Sequence, residues 1–431
     1  MKTNQLLLFC CFAFLWNCSN TSDDTPPINE EEQEEVVNLS EEIEVYNDDL
    51  IQNNIVMIIE NGGTTAYLVD KTGDRLFTWN FDRNLGNDLE LLDDGRVLGI
   101  FKSDNPTINL GGWGGIIQII NPDGSIDWSY ELNTSDEILH HDVELLPNGN
   151  VIVPVWERID MVTAQQAGID TNVDIFIEKI IEVDPETDQI VWQWRSWEHI
   201  VQDLDQNAPD FGVVADNPNK ININYNGDIN NGDWMHANGL DYDPAKDVIY
   251  FSVNFYNEVW VIDHSTTTQE ASGESGGNYG KGGDLIYRFG NPRTYDNEMG
   301  PVLLDRNHYP NFLQDNEPGA GNILVYANGN SIGQSTVYEL DIPDVFNLFP
   351  NTDNEPGIVW SFTDPELFSD KFSGASRSSN GNTIICEGDY GYWEITIDGE
   401  VVWKYNGTSQ YWRGYVYNLD DPRLSSLGVS F

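Results

Sequence analysis

The chain has 431 residues, enough for one large domain or two ordinary ones, and 12% aromatics with 14 Trp exclude a disordered composition. Its 72 acidic against 20 basic side chains leave a formal charge of −52, which argues against a nucleic-acid partner, because phosphate binding needs a basic surface.

At the start of the chain, Lys2 precedes an apolar run from Leu6 to Trp16. At about eleven residues the run is too short to span a bilayer and has the length of a secretory signal core. It ends at Leu15-Trp16-Asn17-Cys18, which resembles a bacterial lipoprotein signal. Residues 1–18 are therefore expected to direct export, with Cys18 becoming the lipidated first residue of a protein of the bacterial cell envelope, periplasmic or anchored in the outer membrane. Residues 19–49 are acidic, contain Pro and almost lack aromatics; they are expected to form a disordered tether to a domain at 50–431. Cys10 and Cys11 fall in the signal, so Cys386 is the thiol left over. Neither a disulfide within the chain nor a Cys-rich metal site is expected.

From residue 50 onward short alternating strands and Gly, Asn and Asp turns give an all-β signature. One pattern recurs: an apolar strand, an Asp-Gly-like turn and a strand ending in an aromatic. It appears at 66–81, 117–130, 180–194, 259–289, 337–362 and 392–405. A second hairpin sits between these copies, at 87–101, 141–156, 236–253, 308–330 and 373–389. Six outer pairs and five inner hairpins, repeated every 50 to 80 residues or so, predict a six-bladed β-propeller. The first blade is expected to be completed by a C-terminal strand near 413–419, which leaves no open edge. Trp79, Trp128, Trp194, Trp360 and Trp403 are expected to pack between blades.

The position that opens each inner hairpin reads Asn87, His141, His236, His308 and Ser373. Innermost strands line the channel of a propeller, so three of only six histidines are expected to converge at one mouth. His140, His199 and His264 lack this register and are expected to be structural; His140 should face away from its neighbour. Converging imidazoles suit either a metal site or the transfer of an anionic group. Asn238 points to the same side of its strand as His236, and an amide suits an oxyanion better than a metal. The acidic, Asn-rich stretch 203–228 suits either calcium or a lid over the channel mouth, and Gly111–Gly115 reads as a tight loop.

The segments "HDVELLPNGNVIVPVWE", "DWMHANGLDYDPAKDVIYFSVNFYNEVWVID" and "NGNTIICEGDYGYWEITIDGEVVWKY" resemble the bacterial arylsulfate sulfotransferases over residues 85 to 415 or so. The resemblance implies an enzyme that moves a sulfuryl group from a phenolic sulfate ester to a phenol acceptor, outside the cytoplasm and without a cofactor. It implies that His308 attacks sulfur and is transiently sulfated, that His141 contacts the sulfuryl oxygens, and that His236 and Asn238 bind the same group and the ester oxygen. It assigns no metal. Where the family usually carries an arginine that binds the sulfate, this chain has Asn254, so Arg306, Arg293 and Arg413 are the candidates to supply the charge. Tyr309 follows His308 where aspartate is common. Two other readings of the trio stay open: a non-catalytic propeller that binds a ligand or glycan, and a metalloenzyme with histidine ligands.

Overall fold

The computed structural model describes residues 37–227 and 229–431. The signal-like segment 1–18, Cys18 and the tether up to residue 36 lie outside the described residues. Residues Leu39–Phe431 form one compact unit, and it is a six-bladed β-propeller of antiparallel four-stranded blades.

Blades 2, 4 and 5 follow the chain without interruption. They are built from Leu85–Leu91 to Ile126–Glu131, from Ala237–Asp243 to Tyr287–Phe289, and from Asn307–Phe312 to Gly357–Phe362. Blade 3 runs from Glu144–Leu145 to Gln189–Arg195, with Glu137–Leu139 pairing to its long second strand. Each blade is covered on both faces by its neighbours, so its second strand is apolar throughout rather than alternating. Val248–Val253 is buried at every residue. The outermost strands keep one wet face, and Arg75–Asn80 alternates accordingly. Fully burying one Val or Ile stabilises by about 1.5–3 kcal/mol, so these runs fix the blade stack.

Two strands close the ring. Tyr411–Asn418 pairs with Asn54–Glu60 and supplies the innermost strand of blade 1, as the outer pair at 66–81 requires. Ile43–Tyr46 pairs with Val401–Asn406 and adds a fifth strand to blade 6. The tether expected over 19–49 therefore ends earlier: its last residues have backbone partners on a sheet edge. An alternating Ile43-Glu44-Val45-Tyr46 was the available signal.

The blade-terminal tryptophans act across blades. Their indole N–H groups reach the next blade in four places: Trp128 donates to Asp188 (2.9 Å), Trp194 to the carbonyl of Gly283 (2.7 Å), Trp360 to that of Ile397 (2.9 Å) and Trp403 to that of Lys71 (2.8 Å). The last of these crosses the seam between blade 6 and blade 1. Trp79 is buried in the cluster that holds Leu85 and Leu89 of blade 2.

Candidate active site

A cavity of about 500 Å³ opens at one mouth of the channel and is lined by His141, His236, Asn254, Phe255, Arg306 and His308, with Phe372 on its far wall. The three histidines predicted to converge do so. The rings of His141 and His236 lie 4.9 Å apart, and His141 and His308 both flank the indole of Trp412, at 6.1 and 6.2 Å.

The register that brings them there differs from the one expected. His141 and His236 occupy the same strained place, at φ +58° and +51°. Ala237 pairs with Val253 in blade 4 as Asn307 pairs with Ala327 in blade 5. The counterpart of His236 is therefore Arg306, also left-handed at φ +57°, and the counterpart of Asn238 is His308. His308 nevertheless lines the cavity, and Arg306 joins it. Both strands carry a bulge just after this point, between Ala237 and Gly239 in blade 4 and between His308 and Pro310 in blade 5.

The tautomer of His308 follows from its neighbour. Asn328 donates its amide N–H to the carbonyls of Ser369 (2.8 Å) and Phe372 (3.3 Å), so its Oδ1 is the atom left to accept. That oxygen lies 2.7 Å from Nδ1 of His308. His308 therefore carries its proton on Nδ1 and keeps the Nε2 lone pair free. Burial pulls its pKa down to about 3, so the ring is neutral over the physiological range.

His236 has the opposite character. Its Nδ1 donates to the buried Asp233 carboxylate at 2.6 Å, and its ring stacks on Phe255. Burial disfavours the cation, but the Asp233 carboxylate against Nδ1 acts in the other direction and the pKa is raised. His141 is held well below the ordinary histidine value by burial and then by the charge of His236.

Of the arginines considered, Arg306 is the one at the site. It lies over Phe255, 4.4 Å from the ring centroid, and donates to Oδ1 of Asn254 at 3.3 Å. Burial lowers its pKa, yet a guanidinium stays charged. Arg413 is committed elsewhere, in a bidentate pair with Asp142 (2.7 Å to each oxygen) and close to Asp88. This pair lines a second cavity of about 250 Å³, together with Asp88, Glu90, Glu144 and Asp241. Arg293 donates to the carbonyls of Asn297 and Gly300, outside the lining of the cavity.

Asn238 does not line the cavity. It is fully buried, and with Asn254 and Ser252 it donates to the backbone carbonyl of Asn307, at 2.8, 3.1 and 3.3 Å. Its geometry is that of a clamp on the strand that carries His308. Asn254 serves that clamp with its N–H and orients Arg306 with its oxygen.

His140 departs most from expectation. It does not face away: its Nδ1 lies 2.9 Å from Nδ1 of His141, and its ring stacks on Trp156 at 4.0 Å. The left-handed backbone of His141 breaks the alternation that would have separated the two rings. His199 and His264 sit apart, bonded to Asp284 and to Asp247 with Glu182.

The Gly-rich loop has a definite task. Gly112 has φ +85°, and a Cβ there would overlap the imidazole of His141. Tyr225, Asn226 and Gly227, at the end of the acidic stretch, line a smaller cavity of about 270 Å³ that shares Phe255 and Arg306 with the main one. Among the described residues no three His, Cys, Asp or Glu side chains are grouped as a metal ion would need.

Asn328, Asp233 and Glu178 were not legible beforehand. They lie outside the histidine repeat, and only the "NGN" after a strand hinted at Asn328.

The family model Arylsulfotransferase (ASST) matches residues 41–410. No curated protein matches the chain. Among solved structures, the chain is similar to a protein of unknown function from Bacteroides caccae, at 12% identity, TM-score 0.48, over 85% of this chain and 99% of that one. It is also similar to a putative 6-phosphogluconolactonase from Bacteroides fragilis (10%, TM-score 0.43, 85% and 98%) and to apo AztD from Citrobacter koseri (9%, TM-score 0.40, 85% and 99%).

Proposed function

We propose that this chain, which belongs to the arylsulfotransferase family, transfers a sulfuryl group from a phenolic sulfate ester to a phenol through sulfated His308. The observation that carries this reading is the Asn328–His308 bond: it leaves a neutral imidazole with its Nε2 lone pair unpartnered at a cavity that also holds a guanidinium.

The chemistry fits the residue types. A sulfuryl group in flight spreads negative charge over three oxygens, much as a phosphoryl group does, and fixed donors stabilise it. In a chain of net charge −52, the cavity lining sets Arg306, the elevated His236 and Lys371 against one carboxylate, Asp370. Arg306 takes the place of the arginine whose expected position holds Asn254. Phe255 and Phe372 give an aryl ring apolar walls. His308 attacks sulfur, the sulfur–oxygen bond to the aryl group breaks, and a phenol acceptor later reverses the process at the same sulfur. Two half-reactions on one covalent intermediate give ping-pong kinetics. The ligand-binding alternative drew on a missing cation, and Arg306 removes that support.

The test is direct. Incubation with 4-nitrophenyl sulfate alone should add the mass of one sulfuryl group at His308, and a phenol acceptor should then discharge it. No label on His308, with wild-type and His308→Ala equally inert, would overturn the reading. Lys2, the Leu6–Trp16 run and Cys18 support export and lipid anchoring at the cell envelope. In the described residues no helix is long and apolar enough to cross a membrane. Intact mass of the membrane fraction, with a Cys18→Ser control, tests the anchor.

A further inference from the structure

We propose that Glu178 and His140 form a buried proton relay to His141, which lends a proton to the departing phenol oxygen and takes one from the incoming acceptor. The proposal rests on the sulfuryl-transfer reading above and adds two residues to it.

The geometry is a continuous chain. Glu178 Oε2 lies 3.0 Å from Nε2 of His140, and Nδ1 of His140 lies 2.9 Å from Nδ1 of His141. All three side chains are buried, and His141 is the one that reaches the cavity. The second oxygen of Glu178 accepts the backbone N–H of Ala237 at 2.8 Å, and Trp156 stacks on His140, so neither end of the relay can swing away. With Nδ1 of His141 engaged, Nε2 is the nitrogen left for substrate. Asp142, Asp233, His236, His308 and Arg413 are the charged or titratable groups around the chain.

Two proton arrangements satisfy every contact. In the first, the Glu178 O–H donates to His140 Nε2, His140 Nδ1–H donates to His141, and His141 presents Nε2–H as an acid. In the second, Glu178 is a carboxylate, every proton has moved one place along, and His141 presents a lone pair as a base. Burial holds the Glu178 carboxyl well above the usual carboxylate range, which makes the acid form the resting one.

The steps balance. In the donor half-reaction the His308 Nε2–sulfur bond forms and the sulfur–oxygen bond breaks. The phenoxide takes the proton of His141, His141 takes that of His140, and His140 takes that of Glu178. Neutral phenol leaves, the sulfated ring is a zwitterion, and the negative charge of the ester now resides on Glu178. The acceptor half-reaction runs the relay backwards, with the proton of the acceptor phenol returning to Glu178.

The test separates a proton source from a structural prop. Glu178→Gln keeps an N–H donor toward His140, so it keeps the tautomers while removing the transferable proton. Loss should follow the basicity of the leaving phenol. Phenyl sulfate, whose phenol has a pKa near 10, should slow by roughly 10²-fold, as for removal of a general acid. The more acidic 4-nitrophenol should leave with a change of under about threefold. An equal loss with both donors, or no loss with either, overturns the relay. Nitrogen-15 NMR of histidine-labelled wild-type protein tests it independently of any variant. Pyrrole-type Nε2 and pyridine-type Nδ1 in His141 support it, and the reverse assignment overturns it. A wild-type protein inert toward every aryl sulfate would instead strike the sulfuryl-transfer reading, while the NMR would still decide the proton arrangement.

Discussion

Removing the acceptor that fixes the tautomer of His308 should disarm the nucleophile without touching it. In Asn328→Leu, Nδ1–H of a buried ring loses its 2.7 Å acceptor and keeps only the long contact to the Arg306 carbonyl at 3.3 Å. A buried donor left without a good partner costs up to about 1–3 kcal/mol. The ring escapes that cost by moving its proton to Nε2, which turns the lone pair away from the cavity. Attack on sulfur then requires the disfavoured tautomer, and at tenfold per 1.36 kcal/mol the sulfation step slows roughly 5- to 150-fold. Asn328→Asp is the control. It also loses the amide donors to Ser369 and Phe372 but keeps an acceptor for Nδ1–H. It should retain most of the rate at alkaline pH, while the added carboxylate moves the acid limb of the pH profile upward. The assay is the stopped-flow burst of 4-nitrophenol in a single turnover without acceptor, on variants shown to be folded by thermal melting. Equal burst rates for the Leu and Asp variants would refute the tautomer argument.

Three further outcomes are expected. Arg306→Gln should lower the burst rate by roughly 10²- to 10³-fold, the usual effect of deleting one donor to a transition-state oxyanion, and Arg306→Lys should restore only part of it, because a point charge cannot replace the planar fork that Asn254 orients. Gly112→Ala should cost at least about 1 kcal/mol in denaturant unfolding, from the left-handed backbone alone, and should slow turnover as well, because its Cβ displaces His141. Glu144→Gln should raise the melting temperature by an amount that grows as pH rises above the ordinary carboxylate range. Burial, then Asp241, raises the Glu144 carboxyl well above its ordinary value, so its favourable contribution is present below the unfolded-state value and is lost as pH rises through the folded-state one. A pH-independent difference between the variant and the wild type would count against this account of the acidic cavity.

The parts of this protein that repeat were legible in its sequence. Alternating strands, Asp-Gly-like turns and an aromatic at the end of each outer pair, tryptophan in five of the six, recur along the chain, and repetition predicts blades because no blade can bury both faces alone. The histidines at 141, 236 and 308 stood out for the same reason. The stretch 41–49 was misread because a fifth edge strand is short and acidic, and it acquires backbone partners only when the ring closes. Arg306 could be named from the sequence only as one of three candidate cations, because the strand pairing that sets it, rather than His308, opposite His236 is not written in the local pattern.

The sequence by itself determined the blade count, the closing of the ring by its C-terminal strand and the convergence of three imidazoles on one mouth, since each follows from local periodicity repeated along the chain. Tertiary structure alone decided what those imidazoles are. His308 is neutral because it is buried, and its Nε2 is left unprotonated because Asn328, 20 residues away, accepts a hydrogen bond from its Nδ1–H; His236 is raised by Asp233; and His141 is linked through His140 to a glutamate on another strand. Three identical residues acquire three characters because an imidazole's tautomer and charge are set by the atoms within hydrogen-bond reach. Those atoms come from outside the strand that each histidine opens: Asn328 just after the next strand, Asp233 in the segment before, and Glu178 on an inner strand of blade 3.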